Sequence, residues 1–276
     1  MKKSLFILLS VVLIGFTTGC NKSSEESGIG TLSVKITDAP FPIDMVEAAE
    51  VTITRVELRK AGDGISDGNP FIVLFEDTIT FNLLDLRNGI VAELLEAEIP
   101  EGTYNLMRLY VEEASLKIRD GETYKVKIPG GQQTGIKIFV RPSFTVTGGL
   151  TTELLLDFDL SRSFLMIGNL NSPHGINGFH FKPVIRAVNN STAGRITGMV
   201  MDTSLVKLAN AQLWLKQDSV IAETYTDSLG YYAFIGIPAG DYSLFATKAD
   251  YDTASCEGLR VAAGNRTIKD FMLTHK

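Results

Sequence analysis

The sequence predicts an all-β protein of two antiparallel sandwich domains behind a secretory leader. Three observations carry that expectation. Short alternating apolar runs recur along the chain, divided by Gly, Asp and Pro turn chemistry. A polar, aperiodic stretch, Asn189-Asn190-Ser191-Thr192-Ala193, separates two series of such runs. Across it one segment is echoed: Ile99-Pro100-Glu101-Gly102-Thr103-Tyr104-Asn105-Leu106 and Ile237-Pro238-Ala239-Gly240-Asp241-Tyr242-Ser243-Leu244 agree at five of eight positions. In each copy Pro presets φ, Gly takes a left-handed position, and Tyr opens a strand with its ring inward and its hydroxyl at the rim.

The elements follow in order. Leu32, Val34 and Ile36 alternate, and Asp38-Ala39-Pro40 turns the chain. Val51 and Ile53 share a parity that Val56 and Leu58 break, which predicts a bulge near Thr54. Phe71 to Phe75 and Thr78 to Leu83 read as two further runs. Ile90, Val91, Leu94 and Leu95 fall on one face of a short helix. Met107, Leu109 and Val111 face one way, Arg108, Tyr110 and Glu112 the other. Runs at Tyr124–Ile128, Gly135–Val140, Phe144–Thr147, Leu154–Phe158 and Phe179–Val188 complete the first series. The stretch from Gly194 to Lys276 reads as about seven short strands.

The chain has 276 residues, 45% hydrophobic and 21% charged, which excludes collagen, a coiled coil or wholesale disorder and suits two domains. Lys2 and Lys3 precede an apolar run from Leu5 to Phe16, too short to cross a bilayer as a helix, so residues 1–19 read as a signal peptide. Thr17-Thr18-Gly19-Cys20 looks like a bacterial lipobox, in which the Cys20 thiol takes a lipid such as palmitate. Residues 20–28 then form a lipidated polar tether. Acidic residues soon after Cys20 resemble the export signal of Bacteroidota surface lipoproteins. The expected address is therefore the outer membrane, lipid-anchored and exposed at the cell surface. The domains are set at 29–188 and 194–276, with 189–193 as linker. Net charge is −6, and −8 without residues 1–19, which leaves no electrostatic footprint for nucleic acid.

Little in the sequence suggests catalysis. Three His and two Cys do not furnish a zinc cage, and no cofactor is implied. Gly130-Gly131-Gln132-Gln133-Thr134-Gly135 begins like a phosphate loop, but Ile136-Lys137 and a strand follow, so it reads as a hairpin loop. His174-Gly175-Ile176-Asn177 resembles the metal-binding pair of zinc carboxypeptidases with Asn in place of the ligand Glu; with His180 it reads as ordinary loop and strand histidine. Asp63, Asp67 and Asn69 miss calcium-loop spacing and read as turns. Asp157 and Asp159 share a strand face without an opposing carboxylate. Cys256 has no base or cation beside it in sequence. Four Asp-Ser/Thr-apolar tripeptides, starting at Asp77, Asp218, Asp227 and Asp252, resemble O-glycan acceptors of Bacteroidota secreted proteins.

One surface stands out. With Ala211, Leu213 and Leu215 inward, alternation turns Trp214 outward, and the same parity exposes Phe245 and Tyr231. An outward Trp with aromatic neighbours is a platform for a sugar or a protein partner, or else an interdomain contact.

The second domain resembles the carboxypeptidase regulatory-like family, a transthyretin-like sandwich, on Gly194-Arg195-Ile196-Thr197-Gly198, Ala209–Leu213, Thr226-Asp227-Ser228-Leu229-Gly230-Tyr231-Tyr232-Ala233-Phe234 and Ile237–Leu244. The resemblance implies an accessory module without catalytic residues, of the kind grouped with carbohydrate-binding-like folds. Pilin-type relatives of that fold staple themselves with a Lys–Asn bond catalysed by a Glu; the run Tyr242-Ser243-Leu244-Phe245-Ala246 continues without it. The first domain resembles the bacterial lipoprotein family domain of unknown function 4382, on Gly30–Val34, Thr37–Pro40, Asn82–Gly89, Ile99–Leu109, Leu154–Leu160 and Lys182–Arg186. That implies a surface β-sandwich. The expected function is a non-catalytic adhesion or assembly protein, with a carbohydrate-binding module as the alternative; the partners expected are a membrane through the lipid, and a protein or a glycan.

Overall fold

The computed structural model describes residues 28–39, 46–62, 70–126, 128, 130–168 and 175–276. The leader, the Cys20 tether, the Asp63–Asn69 loop and His174 lie outside the described residues.

The first domain is built from β1 (Ile29–Ala39), β2 (Val46–Lys60), β3 (Phe71–Asn82), β4 (Ala92–Pro100), β5 (Gly102–Ile118), β6 (Thr123–Val126), β7 (Ile136–Val146), β8 (Thr151–Asp159), β9 (Phe164–Gly168), β10 (Ile176–Phe181) and β11 (Ile185–Asn189). Their sheet runs β3-β2-β5-β7-β11-β8-β1-β4, with β6 also on β5, while β9 and β10 form a separate ribbon. The sheet rolls until β3 and β4 touch. β7 joins the two layers, pairing with β5 on one side and meeting β11 at Val140–Ala187 on the other. Between them lies a core that includes Ile36, Ile53, Leu58, Tyr104, Leu109 and Phe158. Burial of such side chains contributes about 1.5–3 kcal/mol each.

The second domain comprises β12 (Gly194–Asp202), β13 (Gln212–Lys216), β14 (Val220–Tyr225), β15 (Tyr231–Ile237), β16 (Gly240–Thr247), β17 (Ala254–Val261), β18 (Arg266–Ile268) and β19 (Phe271–Leu273), one strand more than expected. One sheet is β15-β12-β18 with β19 also on β12, the other β14-β13-β16-β17. Tyr232, Phe234, Leu213, Leu244 and Phe271 meet between them. Both domains are sandwiches, and most ladders are antiparallel. β1 with β8, β7 with β11, and β12 with β18 and β19 are parallel.

The parity break at Thr54 is a bulge, and it has company. β2 passes from the Ile53–Ile79 pair to Arg55–Glu76, leaving Thr54, Asp77 and Thr78 outside the ladder. On the other side β2 passes from Thr52–Glu113 to Ile53–Val111, leaving out Glu112. Three adjacent strands are thus irregular in one row, which creases the sheet. Val51, Ile53, Val56 and Leu58 nevertheless all reach the core.

The helix expected at Ile90–Leu95 is corrected to a strand. β4 begins at Ala92, Ile90 and Val91 are exposed, and the local helical turn lies earlier, a 3-10 turn at Leu83–Leu86 capped by Asn82. Leu94 and Leu95 are both buried because Val34 pairs with Leu95 and Lys35 with Glu93, so Leu94 bulges. A bulge and a helix both put adjacent residues on one side. The Gly130–Gly135 loop is not a hairpin either. β5 is long enough for β6 and β7 to lie end to end on its same edge, and the loop connects them.

The echoed segments match at their tyrosines, while of the two turn glycines only Gly102 has a positive φ, +151°, and Gly240 does not take the left-handed position expected of it. Tyr104 Oη donates to the Pro100 carbonyl at 2.7 Å and Tyr242 Oη to the Pro238 carbonyl at 2.8 Å, with both rings buried. Each hydroxyl closes the turn that starts its strand. Replacing Tyr242 by Phe should cost about 1–1.5 kcal/mol in urea unfolding, because a carbonyl loses its donor while the core keeps its ring. A loss below about 0.3 kcal/mol would mean solvent satisfies Pro238 equally well.

Candidate functional site

The platform residues emerge on two different faces. Trp214 on β13 and Phe245 on β16 are cross-strand partners, and their rings stack at 5.2 Å between centroids and 5° between planes. Both are half-buried, so each ring covers one face of the other. Tyr231 is outward as alternation requires, but it sits on β15 in the opposite sheet. The three aromatics therefore do not form one surface. The hydroxyl residues of the four Asp-Ser/Thr tripeptides, Thr78, Ser219, Ser228 and Thr253, are all exposed.

The charged centre of the molecule is the seam between the domains. Arg186 on β11 points out of the first domain and its Nη2 meets Asp157 Oδ2 at 2.7 Å. The same guanidinium donates from Nη1 to the Gly236 carbonyl of β15 at 2.7 Å, so one side chain ties a carboxylate of one domain to the backbone of the other. Thr224 Oγ1 of β14 reaches Asn88 Oδ1 at 3.3 Å. Leu155, between core residues Leu154 and Leu156, is fully buried and faces Gly236, where a Cβ would fall 2.7 Å from its Cδ2. Gly236 has φ +63°, and both conditions favour glycine there. The Leu154–Leu156 run is buried on both sides because the second domain covers its outer face. Trp214 is not among the residues lining the seam cavity, although its ladder partner Glu223 is.

Asp38, at the end of β1, lines that cavity too. Neither carboxylate oxygen has a partner at hydrogen-bonding distance and angle. Burial pushes its pKa well above the usual carboxylate range; the Asp157 and Asp159 charges add to the shift, while the Leu160 N–H and Arg87 oppose it. Asp157 is also raised by burial, with Arg186 opposing. Glu223 and Arg186 face the same cavity. At about 20 Å³ it is far below the ~300–1,000 Å³ of small-molecule sites.

The remaining candidates are scattered. Asp159 caps the one-turn helix Leu160–Ser163, accepting from Arg162 N at 3.0 Å and Ser161 Oγ at 2.7 Å. His180 is exposed on β10, opposite Leu165. Cys256 is a free thiol on β17. Among the described residues no three His, Cys, Asp or Glu gather as a metal site, and no helix is long and apolar enough to cross a membrane.

A raised Asp38 pKa fixes the sign of a pH effect. The folded state holds this proton more tightly than the unfolded chain, so the stability it contributes is present at low pH and declines as pH rises through the raised value. Asp38→Asn should therefore leave the melting temperature unchanged near pH 4 and raise it near pH 8, both pH values set about the ordinary carboxylate range and well above it. Thermal melts at the two pH values check this; a variant less stable at both would show that the charged carboxylate stabilises the seam.

Comparison with known proteins places both domains. Residues 29–183 match the family model described as Domain of unknown function (DUF4382), and residues 195–274 match the Carboxypeptidase regulatory-like domain. No curated protein matches the chain. Among solved structures it is similar to the Bacillus anthracis TIE protein, at 15% identity and a TM-score of 0.26, covering 90% of this chain and 34% of that one. The chain thus spans about a third of that protein's length. The minor pilin GBS52 of the Gram-positive pathogen Streptococcus agalactiae matches at 12% identity, TM-score 0.24, over 88% of this chain and 96% of that one. The major pilin subunit BcpA of Bacillus cereus matches at 11% identity, TM-score 0.27, over 90% and 100%. Two of the three are described as pilins and none as an outer-membrane lipoprotein, and the outer-membrane address expected from the leader is withdrawn. Because its first domain, more than half of the sequence, matches that model, the chain belongs to the DUF4382 family, with a carboxypeptidase regulatory-like domain behind it.

Proposed function

We propose that the protein is a non-catalytic binding and assembly module, tethered to a membrane by a lipid on Cys20 and docking a protein partner on the Trp214–Phe245 face. The observation that carries this reading is the closed seam. Two-domain enzymes commonly hold substrate between their domains. Here that space is reduced to about 20 Å³ and bridged by Arg186, which holds the two sandwiches as one unit. Such a unit presents outer faces at a set spacing. A stacked Trp–Phe pair suits a partner's side chain better than a sugar ring, which needs a broad free aromatic face. The residual sugar reading for this face, with Tyr231 as third member, has Tyr231 on the wrong sheet.

Two variants test the reading in cells. Cys20→Ser should remove the acyl groups seen by mass spectrometry on the N-terminal peptide and reduce the protein's share in the detergent phase in Triton X-114 partitioning. Equal partitioning would remove the lipid anchor. Trp214→Ala should abolish photo-crosslinks to a protein partner while circular dichroism stays unchanged; crosslinks that persist would move the docking face elsewhere.

A further inference from the structure

The crease across β3, β2 and β5 opens on the outer face of the first domain, away from the seam and from Trp214. It forms a cleft of about 500 Å³, within the usual range for small-molecule sites. Its floor is Thr54, Arg55 and Tyr110, one wall is Glu76, Asp77 and Thr78, and the other is the loop residues Gln132 and Gln133. Each bulged segment contributes: Thr54, Asp77 and Thr78 are the residues left out of the ladder, and the Glu112 carbonyl, freed by its own bulge, accepts from Gln132 Nε2 at 3.2 Å. Val111 N donates to the Gly131 carbonyl at 3.3 Å, which pins the loop over the crease. Bulges re-aim side chains, and three in one row shape a recess where a regular sheet would be flat.

Beneath the cleft lies a support. Glu57, with 3% of its side chain exposed, takes Arg55 Nη2 at 2.9 Å, Arg108 Nη1 at 3.6 Å and the Tyr110 hydroxyl at 3.1 Å. These contacts orient Arg55 and Tyr110 before any ligand arrives. The Arg55 guanidinium lies 5.6 Å from the Tyr110 ring centre, and its Nη1 reaches toward Glu76 at 3.8 Å. Glu76, Asp77, Thr78, Gln132 and Gln133 are exposed.

We propose that this cleft binds a neutral, hydroxyl-rich glycan. The lining mixes donors (Arg55, the Gln amides) with acceptors (Glu76, Asp77) and hydroxyls that are both, so the ligand must donate and accept along its length. Vicinal sugar hydroxyls do so, and Tyr110, partly covered by Arg55, adds only a narrow apolar edge, so the hydroxyl contacts carry the recognition. Two carboxylates against one guanidinium, itself paired with Glu57, select against phosphate, sulfate or uronate. The lining has no aliphatic side chain to hold a lipid or an apolar peptide. A divalent cation would need a third ligand, and the described residues gather none.

The test is affinity electrophoresis and calorimetry of the purified full chain against maltodextrin, cellohexaose, mannan and N-acetylchitohexaose, with polygalacturonate as the anionic control. Expected is saturable binding of at least one neutral glycan, insensitive to added salt. It should weaken by about tenfold or more in Gln132→Ala/Gln133→Ala and in Asp77→Asn, from the loss of one or two hydrogen bonds to the ligand. Trp214→Ala should bind as wild type. The substituted residues are exposed, and melting curves confirm each fold. Silence across the neutral panel, binding that the cleft variants leave intact, loss in Trp214→Ala, or retention on polygalacturonate alone would each overturn the proposal.

Discussion

The arrangement of the whole molecule depends on Arg186. A guanidinium is always charged and presents several donors in one plane, so it can satisfy a carboxylate and a carbonyl at once. On β11 it meets Asp157 on one side and the Gly236 carbonyl on the other, and the two sandwiches are held where both bonds are made. Leu155 and Gly236 add a close contact, where a Cβ on the glycine would fall 2.7 Å from Leu155 Cδ2 and push it away, and the φ of +63° favours glycine. Arg186 also explains how Asp157 stays close to a second buried carboxylate, Asp38. Arg186 is paired with Asp157, and Asp38, whose burial the Arg87 charge only partly offsets, favours its proton.

The outer face of the first domain follows a different logic. Regular pairing would leave the β3–β2–β5 surface flat. Instead the ladder slips by a residue at Glu112 and returns to register at Thr54, so the core side of the sheet is preserved while the outer side folds. Glu57, buried beneath this face rather than in the core, needs the charges of Arg55 and Arg108 to remain there. In the second domain, outward Trp214 and Phe245 pack on each other.

Much of this was legible in the residues. The parity change at Thr54 located the bulge, and the Ile-Pro-x-Gly-x-Tyr-x-Leu echo located both tyrosine-closed turns. Outward Tyr231 also followed from alternation. The helix at Ile90–Leu95 failed because neighbouring inward leucines are compatible with a helix and with a bulged strand, and only the pairing of β4 with β1 distinguishes them. Asp157 and Asp159 looked like a pair on one strand face, yet one turned to Arg186 and the other to the helix start at Leu160. Asp38 read as a turn residue, since its burial depends on strands and a domain far along the chain.

The sequence by itself determined the class of fold, the turns, and which side chains leave the core, because a strand's two-residue period and the φ preferences of Pro and Gly are local properties. Tertiary structure alone decided which of those outward side chains meet. It put Trp214 beside Phe245 and away from Tyr231, Arg186 against Gly236, and Thr54, Asp77 and Gln132 around one cleft. Alternation names a face of a strand, but neighbours on that face come from strand order and register, and these are set by burial summed over the entire domain.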